Sequence, residues 1–280
     1  MGRQDWRGGR NGGRAAFGKK PASGGVSASQ RGEWIYGRRP VLEMLRAARR
    51  HIFEAVLPSD GHDAPDVAEI RALVRHAELP VRTLERDRLD ELCGGGNHQG
   101  VALRVGGFPY FDFDQLLEMA DEDPQFSVLF LDHIEDPQNV GSLLRTADAA
   151  GIGAVVLPED RAAAVTAAAV RASAGASEHL KVAKVVNLVR AMEAFKSRRV
   201  WITGLDMDTS AKPYTEIDFS GRVGLVVGSE GRGLSRLVRE TCDFIAFLPM
   251  FGGVDSLNAG AAGAVAMYEI VRQRGKNQAG

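Results

Sequence analysis

From Phe126 onward the chain repeats one pattern: a short apolar run of strand length, then in most cases a stretch with helical periodicity. The runs fall at residues 128–131, 154–157, 180–186, 200–203, 223–227 and 244–248. Strands that alternate with helices join in parallel, so the pattern predicts an α/β fold, a mostly parallel sheet covered by helices on both faces. A last helix is expected over residues 257–273, rich in small residues at its start.

A smaller alternation precedes it. Residues 38–50 have helical periodicity, 53–57 read as a strand, 64–77 as an amphipathic helix, 81–84 as a short strand, 86–92 as a short helix and 101–105 as a third strand. This describes a small α/β domain over residues 32–106. Residues 107–125, opened by Gly106-Gly107-Phe108-Pro109, read as a linker with one amphipathic helix at 113–119. The large domain takes residues 126–275, with a short tail at 276–280. Residues 1–31 hold seven basic residues, one acid and eight glycines, and read as a disordered basic tail. Such an arm either tracks phosphates by releasing counterions or merely keeps the chain soluble.

Bulk properties exclude more than they identify. The net charge is -1, so the chain as a whole carries no nucleic-acid signature. Cys93 and Cys242 have no metal spacing and form no disulfide framework, which points to a reducing, cytoplasmic compartment and no metal. No stretch approaches the ~20 apolar residues of a membrane span.

Three segments of the large domain gather chemistry. The first, Asp132 to Asp148, follows a strand and carries Asn139 and Arg145 on the next helix. Asn139 there suits a helix N-cap, and Arg145 an ion pair with Asp148. His133 reads as a structural hydrogen-bonder. The second is the loop Gly228-Ser229-Glu230-Gly231-Arg232-Gly233, whose glycine order matches neither dinucleotide nor Walker loops. A carboxylate among glycines suits a cationic or hydroxyl-bearing ligand, not a phosphate. The third runs from Leu248-Pro249-Met250 to Ser256-Leu257-Asn258, where Ser256 can cap the last helix and Asn258 lies in its first turn. Open α/β sheets bind ligands at the carboxyl ends of their strands, where these segments begin.

Together the three segments resemble the motifs of the SpoU (TrmH-type) RNA 2′-O-ribose methyltransferases of the SPOUT superfamily. Residues 35–105, ending in Gly96-Asn97-His98-Gln99-Gly100-Val101, resemble the RNA-binding domain of the RlmB-like members, which act on guanosine in large-subunit ribosomal RNA. The resemblance implies a deep trefoil knot in the C-terminal domain and a homodimer formed through it. It implies S-adenosylmethionine as cofactor, held by Thr203, Gly204, Leu205, Gly228, Glu230, Gly231, Leu248, Met250, Ser256 and Leu257. It places Asn139, Arg145, Glu230, Ser256 and Asn258 at catalytic positions. Gly260 departs from the pattern, standing where many relatives carry serine. Transfer-RNA methyltransferases, and catalytically inactive RNA-binding proteins of the same fold, remain alternatives.

Overall fold

The computed structural model describes residues 32–59, 64–160, 163–207 and 210–278. The expected basic tail at 1–31 lies outside the described residues. Two sheets organise the rest.

The first sheet has the order β1-β4-β2-β3, from β1 (Glu33–Tyr36), β2 (Ile52–Val56), β3 (Val81–Arg82) and β4 (Ala102–Val105). β4 pairs antiparallel with β1 and β2, and β2 pairs parallel with β3. Helices α1 (Arg38–Ala47), α2 (Pro65–His76) and α3 (Arg86–Leu92) connect the strands. The sequence pattern does not mark β1. Four residues on a sheet edge, Glu-Trp-Ile-Tyr, are too few to show a period.

The second sheet has seven strands in the order β7-β6-β5-β10-β8-β11-β9, and every pairing in it is parallel. Its strands are β5 (Ser127–Asp132), β6 (Ala154–Pro158), β7 (Val182–Val185), β8 (Trp201–Leu205), β9 (Lys212–Pro213), β10 (Val223–Gly228) and β11 (Phe244–Phe247). The helices are α4 (Phe113–Glu122), α5 (Pro137–Ala149), α6 (Ala167–Ala172), α7 (Leu188–Lys196), α8 (Arg236–Thr241) and α9 (Ala259–Gln278). α9 thus continues past residue 275.

Strand alternation builds two cores from the same strands. Leu129 and Leu131 of β5, Val155 and Leu157 of β6, and Leu225 and Val227 of β10 face α5, α6 and α9. Val128 and Phe130, Val156 and Val226 face α4, α7 and α8, where Phe113, Phe126 and Phe130 surround Phe195. The first core runs on without a break into Ile35 and Leu103 of the smaller sheet, Met44 of α1 and Leu57 just after β2.

Polar contacts lock that junction. Arg50, its side chain fully buried, makes two hydrogen bonds to Glu178, Nε to Oε2 at 3.0 Å and Nη2 to Oε1 at 2.7 Å. It also donates to Glu33 at 2.7 Å and lies over the Phe108 ring. Arg49 donates to the backbone carbonyls of Glu178, Leu180 and Pro109.

Candidate active site

β5, β8, β10 and β11 are parallel neighbours, so their carboxyl ends open on one rim of the sheet. The three sequence segments meet there. α5 starts with Pro137 at its first position and Asp136 as N-cap, whose Oδ1 accepts from the Gln138 N–H at 3.0 Å. The expected cap at Asn139 is therefore taken by Asp136. Asn139 instead is buried, with its amide turned to the rim. α5 is seated by Gly141, where a Cβ would come within 2.3 Å of the Ala172 Cβ.

Asn139, Glu230 and Asn258 form one hydrogen-bonded network. Asn139 Nδ2 donates to Glu230 Oε1 at 2.9 Å, and Asn258 Nδ2 donates to the same oxygen at 2.8 Å and to Asn139 Oδ1 at 2.6 Å. The Ala259 N–H adds a longer contact to Glu230 Oε1 at 3.3 Å. Asn258 Oδ1 accepts from the Ala261 N–H at 3.0 Å, so Asn258, rather than the expected Ser256, caps α9. One carboxylate oxygen thus ties together residues 119 positions apart in sequence. The other, Oε2, has no partner among the described residues.

The glycine loop folds back on itself. Ser229 and Gly233 form an isolated antiparallel bridge, and a Cβ on Gly228 would lie 2.3 Å from the Gly233 carbonyl oxygen. Gly231 and Gly233 have φ of 76° and 63°, which other residues rarely adopt. Two strand-end carboxylates hold the loop. Asp132 accepts from the Ser235 N–H at 2.6 Å, and Asp206 accepts from the Leu234 N–H at 3.2 Å and from Arg239. Sequence reasoning missed both aspartates in this role, because they lie about thirty and a hundred residues from the loop.

A cavity of about 450 Å³ lies between this loop and the residues around 246–262. Of the residues expected to hold a cofactor, Leu205, Gly228, Glu230, Gly231, Leu248, Met250, Ser256 and Leu257 line it, beside Asp206 and Phe247. Thr203 and Gly204 sit deeper in β8 and do not. Gly204 lacks a side chain for packing: a Cβ there would lie 2.5 Å from Leu234 Cδ1 and 2.9 Å from Cys242 Sγ. Exposed backbone, three carboxylates (Asp206, Glu230 and Asp255) and apolar side chains suit a compact ligand with a positive charge and a flat apolar part. Burial pushes the Cys242 thiol up to about 12, which removes it as a nucleophile at neutral pH. No group of three metal-ligating side chains occurs among the described residues.

Arg145 is exposed on α5, lines neither this cavity nor the one next to it, and has no ion pair among the described residues, with Asp148 or otherwise. No helix among the described residues is long and apolar enough to cross a membrane.

A parallel sheet with a backbone-walled cavity and a polar network at its carboxyl rim defines a cofactor-dependent α/β enzyme. The chain belongs to the SpoU rRNA methylase family, whose model matches residues 127–268, while residues 34–111 match the RNA 2′-O ribose methyltransferase substrate-binding model. YacO of Bacillus subtilis, assigned to the TrmH family of tRNA/rRNA methyltransferases, is 37% identical over 88% of this chain and 98% of its own length. A TrmH-family relative from Staphylococcus saprophyticus is 39% identical over 86% of this chain and 95% of its own. Among solved structures, the SpoU methyltransferase AviRb from Streptomyces viridochromogenes, in complex with AdoMet, superposes with a TM-score of 0.72. It is 26% identical, covering 90% of this chain and 95% of AviRb. The protein is an RNA methyltransferase, and S-adenosylmethionine is its methyl donor.

Proposed function

We propose that this enzyme methylates a ribose 2′-OH of RNA, at a guanosine of the large ribosomal subunit. The network joining Asn139, Glu230 and Asn258 carries the reading, because it sets a carboxylate with one free oxygen on the wall of the backbone-lined cavity. S-adenosylmethionine, when bound, supplies a methyl group on a sulfonium open to in-line displacement. The cavity suits it: Glu230 and Asp255 offer negative charge, glycine backbone offers N–H and C=O groups, and Leu248, Met250 and Leu257 offer apolar surface.

In this scheme Asn139 and Asn258 fix Glu230, whose Oε2 accepts a hydrogen bond from the ribose hydroxyl and takes up its proton as that oxygen attacks. Arg145 clamps the neighbouring phosphate with its planar guanidinium and stabilises charge developing on the 2′ oxygen. Ser256, exposed on the cavity lining, contributes a hydroxyl there. The sheet order supports the knot, since β10 enters between β5 and β8 while β11 lies beyond β8. Half-exposed Val265, Tyr268 and Val271 on α9, with Leu257, Val254 and Phe251 before it, support a homodimer formed beside the cavity. An RNA substrate supports a cytoplasmic location.

Two glycine substitutions separate the loop's parts. Gly228→Ala drives a Cβ into the Gly233 backbone, and should weaken S-adenosylmethionine binding by about one to two orders of magnitude through ~1–3 kcal/mol of overpacking. Gly231→Ala meets open space and costs about 1–2 kcal/mol of backbone strain, so it should lose less affinity. Calorimetric titration decides, and equal affinity of Gly228→Ala and the parent would remove the loop from the cofactor site.

The target is tested by mass-spectrometric mapping of ribose methylation in cells lacking the protein. Loss of one 2′-O-methylguanosine from large-subunit RNA is expected. An intact ribosomal pattern with a lost transfer-RNA mark would overturn the ribosomal assignment.

A further inference from the structure

A second cavity, of about 470 Å³, lies across the glycine loop from the first. The two adjoin at Ser229, Glu230 and Gly233, which line both, and Asn139 lines the second. Both volumes fall in the range that holds a small molecule. Displacement at a methyl group needs the acceptor oxygen in line with the carbon and nothing between them, so a cavity that adjoins the first is where an acceptor can reach it.

The lining of the second cavity has its own character. His133, at the tip of β5, has a φ of 56°, a left-handed conformation that costs a non-glycine residue energy. Its Nδ1 is hydrogen-bonded to Asp132, a carboxylate 1% exposed that also anchors the Ser235 N–H. The imidazole is thus fixed from behind while 42% of its side chain stays open. Glu135 lines the same cavity and has no hydrogen bond or ion pair among the described residues. Asp136 is already occupied as the α5 cap. A free carboxylate repels phosphate but accepts well from a base edge that offers N–H groups side by side. Guanine offers two such donors, N1–H and the 2-amino group, where adenine and cytosine offer one amino group and uracil one imide N–H.

We propose that this cavity seats the acceptor nucleoside, with Glu135 reading the guanine donor edge and His133 forming the wall against which the base lies. The proposal rests on the methyltransferase reading above and adds the residues that choose the base. His133 and Glu135 are specificity residues here, and neither lines the cofactor's cavity.

The test uses the full-length protein, S-adenosylmethionine, and total ribosomal RNA from cells lacking it. Glu135→Gln keeps shape and removes charge, while His133→Gly removes the ring and relieves the positive φ, so both variants should fold. The expected result is a fall of about tenfold to a hundredfold in kcat/KM for the RNA, with the dissociation constant for S-adenosylmethionine within about twofold of the parent. A synthetic hairpin carrying inosine at the mapped position lacks the 2-amino group. It should lose activity with the parent enzyme and lose little further with Glu135→Gln. Unchanged RNA kinetics in both variants, a parallel loss of cofactor binding, or a mapped nucleotide other than guanosine would each overturn the proposal. A parent protein that binds no S-adenosylmethionine would instead overturn the reading on which it rests.

Discussion

Arg145→Ala is expected to lower kcat/KM for RNA methylation by about two to three orders of magnitude, while the dissociation constant for S-adenosylmethionine stays unchanged. The size follows from what is removed: one charged donor at developing oxyanion charge is worth about 10²–10³ in rate. The constancy follows from position, because Arg145 lies outside the lining of the first cavity. Arg145 is exposed and unpaired among the described residues, so it is not needed to hold α5 in place and its loss should leave the melting temperature near the parent's. The role proposed for it is that of a clamp and not of a base, since a guanidinium keeps its proton throughout the accessible pH range. Arg145→Lys separates the two roles. A lysine keeps the charge but loses the planar two-point grip, so the clamp role predicts a uniformly lower rate with an unshifted pH–rate profile. A profile displaced toward lower pH would make residue 145 the base and overturn the clamp. A loss in cofactor affinity matching the loss in rate would move Arg145 into the cofactor site.

How far the site could be read from the sequence depended on which interactions were local. The apolar runs marked the six longer strands of the large sheet: β5, β6 and β10 are buried along their whole length and so almost wholly apolar, while β7, β8 and β11 keep largely apolar runs although partly exposed. β9, two residues long, carries no period to read. The three segments that gather at the rim are each recognisable from side-chain type. Their joining through Glu230 Oε1 is long-range, and no local rule assigns an oxygen to partners 28 and 91 residues away. Local rules also named the wrong caps: Asn139 and Ser256 each precede or begin a helical pattern, but Asp136 and Asn258 hold the capping positions. Gly204 shows the same limit from the other side. A glycine at a strand's carboxyl end fits a ligand's approach equally well, and only the packed neighbours Leu234 and Cys242 reveal that here it makes room for side chains.

The junction between the two sheets was the least legible part, and it yields the largest effect on stability. Arg50 and Glu178 are 128 residues apart, with side chains 0% and 1% exposed. Each carries a desolvation cost that the other chiefly offsets, and burial pushes the Glu178 carboxyl above its usual range despite the two arginines beside it. Removing one partner strands the other, so Arg50→Ala should destabilise the fold by about 3–5 kcal/mol. The double change Arg50→Met with Glu178→Leu removes both charges together and should recover most of that loss, because apolar groups of similar volume replace a pair that gains little net energy. Arg50 also grips Glu33 at 2.7 Å, whose side chain is 32% exposed and can return to water, so the recovery should not be blocked from that side. Urea denaturation gives the three values. The pH dependence has a definite sign. A carboxyl with a raised folded-state pKa binds its proton more tightly when folded, so its contribution to stability falls as pH rises from the unfolded pKa through the folded one. In the double variant that acid-range slope should flatten. A double variant as unstable as Arg50→Ala would mean that the pair contributes specific binding energy beyond charge compensation, and would overturn this account of the junction.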